Sequence, residues 1–236
     1  ISLNQAFDLC FNEVQNLASP QCAAFVGIRD SSGSFTRTNP PLQGGANIAS
    51  FETSGIDLEM SYDTSIPFSL LTDTGEQRLN LSFLGTWTDD FIIRPDASDP
   101  TTEFQCSGRF DGNCGQPLPE FKWTSRVSFI DGPLTTSIRW RHLDSVEDEA
   151  GDERIDNYDL IDLTFSFAAS ERLVLNVGVN NIFDTLPDTP VFNAAGQVTN
   201  DVGSLLLGTN SEQANTYPSV YDVLGRDFFV SASFKF

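Results

Sequence analysis

Few residues in this chain are of types that could do chemistry, and their spacing limits them further. The only histidine is His142. A Ser/His/Asp arrangement cannot be built from it by spacing alone. No glycine-rich phosphate loop precedes a helix, and Gly44-Gly45 is ordinary turn material. The chain therefore reads as a non-enzyme with no cofactor. The four cysteines fall in two local pairs, Cys10 with Cys22 and Cys106 with Cys114. Neither pair is a C-x-x-C, and His142 is distant, so disulfides in an oxidising compartment are expected in place of a metal site.

Two charged groups remain. Asp144, Glu147, Asp148, Glu149, Asp152, Glu153 and Asp156 form an acidic run. It lacks the D-x-[DN]-x-[DN]-G spacing of a calcium loop and is read as a solvated, self-repelling loop. Lys122, Arg126, Arg139 and Arg141 fall on one face of two adjacent strands, with Asp162 on the next. They form either a basic wall guiding an anionic ligand or salt bridges, to a plug segment or across the wall itself. The second reading is carried forward, because charges enclosed within a protein need pairing.

Which elements position these residues follows from composition and period. The 236 residues carry 33 acidic and 13 basic side chains, a formal net charge of −20. This balance excludes a nucleic-acid binder, which needs a basic footprint. No apolar run approaches the ~20 residues of a transmembrane helix. A membrane β-barrel stays open, because only alternate residues of its strands meet lipid. The 20 Phe against one Met are an odd balance for a cytosolic enzyme.

Apolar residues recur on every second position in seven stretches. These are 56–62, 79–87, 121–129, 134–140, 161–167, 173–179 and 228–236. Period two predicts strands with two unlike faces. Leu3, Ala6, Phe7, Cys10, Phe11 and Val14 have helical spacing, and Asp30-Ser-Ser-Gly33 reads as a turn. Connections near 63–76, 131–133 and 168–171 are short. Those near 94–118, 144–157 and 184–220 are mostly longer and polar. Short turns on one side and long loops on the other is the pattern of outer-membrane barrels. Tyr62, Phe129, Phe167 and Phe236 mark the short-turn ends; Trp87, Phe121, Trp123 and Trp140 mark the long-loop ends. Two aromatic girdles are expected at the two lipid interfaces. Seven is an odd number, whereas bacterial single-chain barrels close with an even one. The chain is thus expected to be a fragment, and its opening residues, Ile-Ser-Leu-Asn-Gln, read like the middle of a protein.

Three stretches carry a resemblance. Phe51-Glu-Thr-Ser-Gly-Ile-Asp-Leu-Glu-Met-Ser-Tyr62, Val179-Asn-Asn-Ile-Phe-Asp184 and Tyr221-Asp-Val-Leu-Gly-Arg-Asp-Phe-Phe-Val230, the last running on to Phe236, resemble segments of TonB-dependent outer-membrane receptors. The resemblance spans about 45–236. It implies an all-β fold: a transmembrane antiparallel β-barrel of about 22 strands, of which this chain supplies the last seven, with long extracellular loops. Residues 1–45 would be an extracellular loop region with the Cys10/Cys22 pair, and 46–236 the C-terminal barrel strands. The plug and TonB box of the family are not expected within this chain.

The implied function is TonB-dependent import of a scarce nutrient such as a siderophore, vitamin, sugar or peptide. The alternatives are a non-transporting outer-membrane barrel with a structural, adhesin or accessory-subunit role, and a soluble secreted β-sandwich. The implied partners are the remaining strands and plug of the same receptor, the TonB system, outer-membrane lipid and lipopolysaccharide, and a small ligand. The C-terminus would be periplasmic, and Phe228, Val230, Phe234 and Phe236 would form the membrane-assembly signal. Arg226 shares their parity and would meet lipopolysaccharide phosphates, unless a bulge turns it inward.

Overall fold

A computed structural model describes residues 7, 9–18, 22–23, 25–28, 30–32, 34–36, 40, 49–69, 72, 77–95, 101–111, 113–149, 151, 153–187, 194–195 and 217–235. The strands are β1 (Ser50–Ile66), β2 (Gln77–Arg94), β3 (Phe104–Gln105), β4 (Arg109–Asp111), β5 (Gly115–Leu118), β6 (Phe121–Asp131), β7 (Leu134–Leu143), β8 (Val146–Asp148), β9 (Arg154–Ile155), β10 (Tyr158–Ser170), β11 (Leu173–Asn180) and β12 (Asp227–Phe234). The chain is all-β. β1, β2, β6, β7, β10, β11 and β12 join in chain order as one antiparallel sheet, with β3 added to β2. These seven long strands cover the seven stretches of period-two sequence, the last of them as far as Phe234. The sheet is open, with β1 and β12 at its two edges among the described residues.

Register fixes two unlike faces, because directly paired residues share a side. Asp57 pairs with Thr86, Thr86 with Lys122 and Lys122 with Leu143. Further along the same β6–β7 pair Arg126 meets Arg139, and Arg139 meets Asp162 on β10. This is the polar face. The other face carries Ile56, Leu58, Met60, Val127, Ile138, Phe165, Val177, Phe228 and Val230, all exposed. Phe228 and Val230 are 75% and 77% exposed. The sheet thus leaves the large apolar side chains of this face exposed. Burying one such side chain is worth about 1.5–3 kcal/mol, which this face forgoes wherever water covers it.

Phe229 breaks the polar set on β12. Its ring lies across Gly178, its partner on β11. A Cβ on Gly178 would stand 2.4 Å from the Phe229 ring, so only glycine leaves room. At the short-turn end, buried Asp131 accepts hydrogen bonds from Thr72 N at 3.1 Å and Gln77 Nε2 at 3.0 Å, and from the Thr72 hydroxyl. This joins the β6–β7 turn to the β1–β2 connection.

The long connections are not plain loops. β5, β4, β8 and β9 form a second, four-stranded sheet, in which β4 and β8 run parallel. Its strands are two to four residues long, too short to show a period in sequence. The Cys106–Cys114 disulfide closes the first of these connections. The acidic run is correspondingly structured, contrary to the self-repelling loop expected. Glu149 accepts from Asn113 N at 2.6 Å and Asn113 Nδ2 at 3.2 Å, which ties the two connections together. Asp148 is buried and accepts from Glu153 N. Asp152 lies outside the described residues. Phe110, Val146, Ile155, Tyr158, Leu160 and Tyr221 form the core beneath this module.

Near the N-terminus, Cys10 and Cys22 are bonded and pack with Phe25. The expected helix is a single π-helical turn, Leu9–Val14; Leu3 and Ala6 lie outside the described residues. Asp30 caps its turn by accepting from Ser32 N and Ser34 N.

Candidate functional site

The polar face is organised around Asp162, which is only 2% exposed. An isolated carboxylate there would be costly, since burial strips its water. Three donors compensate it, two from β7 and one from the residue that follows β11. Arg139 Nε donates to Oδ2 at 2.7 Å, Arg141 Nη2 to Oδ1 at 3.1 Å, and Asn181 N to Oδ1 at 2.9 Å. Arg139 and Arg141 both lie on β7 and alternate toward the same face, so one carboxylate on β10 serves both. Both arginines are therefore ion-paired across the strands with Asp162.

Asn181 is the second anchor. It is fully buried and adopts φ 51, a left-handed conformation that asparagine tolerates better than most residues. Its side chain exchanges two hydrogen bonds with the backbone of Thr185, at 2.7 and 2.8 Å. Asp184, at φ 57, accepts from Arg226 N at 2.8 Å. Arg226 in turn reaches Asp184 Oδ2 at 3.7 Å and the Ile182 carbonyl at 3.3 Å. Its guanidinium is thus folded onto the Asn180–Asp184 turn, still partly exposed. The N-N-x-F-D segment is a hydrogen-bonded lock between β10, β11 and the entry to β12. Its role was not legible in sequence, because its partners lie 19 and 42 residues away.

Lys122 and Arg126 differ from the other cations of this face. Among the described residues neither takes part in an ion pair or side-chain hydrogen bond. Arg126 stands directly opposite Arg139, a like-charge pair that gains nothing from its neighbour.

Lys122 borders a cavity of about 330 Å³ at the long-loop end of the polar face. Leu84, Leu143 and Leu160 contribute from the strands, and Val220 and Asp222 from the segment before β12. Thr124 and Arg141 complete its polar side. Tyr158 fixes the cavity's edge: its hydroxyl donates to the Asp222 carbonyl at 2.7 Å. Tyr158 is the first residue of β10, at its long-loop end, and pairs with Leu143 at the end of β7. Burial, helped by the nearby Asp222 charge, pushes its hydroxyl up to about 12, so at neutral pH it remains a proton donor.

His142 belongs to the opposite face at this same level. Its Nδ1 lies 2.8 Å from Asp159 Oδ1, which also accepts from Trp140 Nε1 at 2.6 Å. Its ring stacks on Trp123, which contacts Trp140 and Phe83 in turn. The aromatic cluster at the long-loop ends thus holds its polar tips in one network. Among the described residues no three His, Cys, Asp or Glu side chains are placed to hold a metal ion. Of the expected assembly residues, Phe228, Val230 and Phe234 project from the exposed apolar face, while Phe236 lies outside the described residues. Neither a protein-family model nor a curated protein matches the chain.

Proposed function

We propose that this sheet is part of the wall of an outer-membrane β-barrel, of the TonB-dependent receptor type, that imports a scarce nutrient. The observation that carries the reading is the exposed apolar face. All seven strands place large aliphatic or aromatic side chains on one side, which is exposed, while the charged side chains of Lys122, Arg126, Arg139, Arg141 and Asp162 share the other. A contiguous apolar surface of this extent calls for a cover, and bilayer hydrocarbon covers it without needing a second layer of protein. The polar face, with its compensated Asp162, then lines the lumen. The aromatic cluster around Trp123 and Trp140 sits at the outer lipid boundary, and the disulfide-closed module faces the exterior.

In this reading β1 and β12 pair with further strands, since an open edge in lipid leaves backbone groups unsatisfied. The chain end is periplasmic, and Phe228, Val230, Phe234 and Phe236 serve membrane assembly. Import draws on a plug and the TonB system. A non-transporting barrel shares every one of these surface features, so transport itself rests on the three sequence resemblances.

Fractionation and heat-modifiable gel mobility test the membrane reading. The protein is expected in the outer-membrane fraction, migrating differently before and after boiling. Recovery as a soluble protein with unchanged mobility overturns it in favour of a secreted β-sandwich. Nutrient uptake abolished by loss of TonB separates the transporter from the non-transporting barrel.

A further inference from the structure

We propose that the cavity beside Lys122 binds a small amphiphilic carboxylate. The inference deepens the reading above, because it rests on this face being the ligand side of the wall. About 330 Å³ lies at the lower end of the ~300–1,000 Å³ typical of small-molecule sites. Its surface divides chemically. Leu84, Leu160 and Val220 supply an apolar floor, while Lys122, Arg141 and Thr124 supply donors to one side.

Charge decides the class of ligand. The chain has 33 acidic side chains against 13 basic ones, yet Lys122 has no carboxylate partner among the described residues. A paired cation would be the ordinary outcome in so acidic a protein. Arg141 spends Nη2 on Asp162, and its Nε is buried without a hydrogen-bond partner. Asp222, the one acid in the lining among the described residues, turns its carboxylate back onto its own loop, accepting from Leu224 N at 3.0 Å. The uncommitted charge facing the cavity is therefore the ammonium of Lys122. That ammonium is a mobile point charge with three donors, suited to a carboxylate that enters with an apolar body. Tyr158, bonded to the Asp222 carbonyl, holds the loop that closes the apolar side.

The probe is 4-phenylbutyrate, with 4-phenylbutyramide and 4-phenylbutylamine as neutral and cationic counterparts. Binding to the full protein, folded in detergent micelles, is measured by ligand-observed NMR against protein-free micelles. The acid is expected to bind at least about fivefold tighter than the amide, as a charge-assisted hydrogen bond requires. Lys122→Gln is expected to erase that preference while leaving amide affinity and heat-modifiable mobility unchanged. Val220→Trp, which fills the cavity from its loop side, is expected to abolish binding of both. Equal affinity for acid and amide, tighter binding of the amine, or a preference that survives Lys122→Gln overturns the proposal. So does an absence of acid binding by protein that retains heat-modifiable mobility. Loss of heat modifiability in the parent protein overturns the membrane reading instead, and with it the assignment of this face.

Discussion

Asn181 N donates to Asp162 Oδ1 at 2.9 Å, from a fully buried backbone position to a nearly fully buried carboxylate. The same carboxylate binds two arginines of β7, so one side chain ties three consecutive strands of the sheet. Asp162→Ala removes all three bonds and leaves two part-buried guanidinium groups uncompensated. Their access to water tempers the loss, so about 2–4 kcal/mol of stability is expected to disappear. Denaturant unfolding in detergent measures it. Asp162→Asn, which keeps acceptor oxygen but no charge, is expected to lose less.

The exposed face offers a test that distinguishes lipid from water. Ile138 lies mid-strand on β7 and is 48% exposed. On a water-covered surface Ile138→Lys is expected to change stability by no more than about 0.5 kcal/mol. Facing the bilayer midplane it is expected to cost about 2–4 kcal/mol. Unfolding titrations from phospholipid vesicles read the difference.

Gly178 and Phe229 are a matched pair. A side chain at Gly178 meets the Phe229 ring at 2.4 Å and the Leu163 carbonyl at 2.9 Å. Gly178→Val is expected to destabilise by about 1–3 kcal/mol through overpacking. Phe229→Ala added to it is expected to recover part of that loss, the ring being only one of the two obstacles. A double-mutant cycle measures the coupling.

Tyr158 sets an alkaline limit for the core it shares with Phe110, Val146 and Tyr221. Its hydroxyl titrates near 10 when unfolded and at about 12 when folded. The folded protein favours the protonated form, so this contribution is whole below pH 10 and is lost as pH rises through 12. Tyrosinate absorbance at 295 nm, compared between the parent and Tyr158→Phe, follows it. The variant is expected to lack the late-titrating component and to lose about 1 kcal/mol at neutral pH with the Asp222 hydrogen bond.

The seven long strands, their two faces and the local cysteine pairs were all legible in sequence. Successive Cβ atoms on a strand point to opposite sides, so a period of two is a local property that requires no partner. Disulfide pairing over 8 and 12 residues is nearly as local. The module of β4, β5, β8 and β9 escaped notice because strands of two to four residues carry no measurable period. Tertiary structure alone decided how the charges are spent. Lys122, Arg126, Arg139 and Arg141 look alike in sequence and share a face. Register places Asp162 beside two of them and leaves Lys122 at the mouth of a cavity, because pairing depends on which strands become neighbours. The exposure of the apolar face was likewise decided only there, since alternation distinguishes two sides of a strand without saying which one is covered.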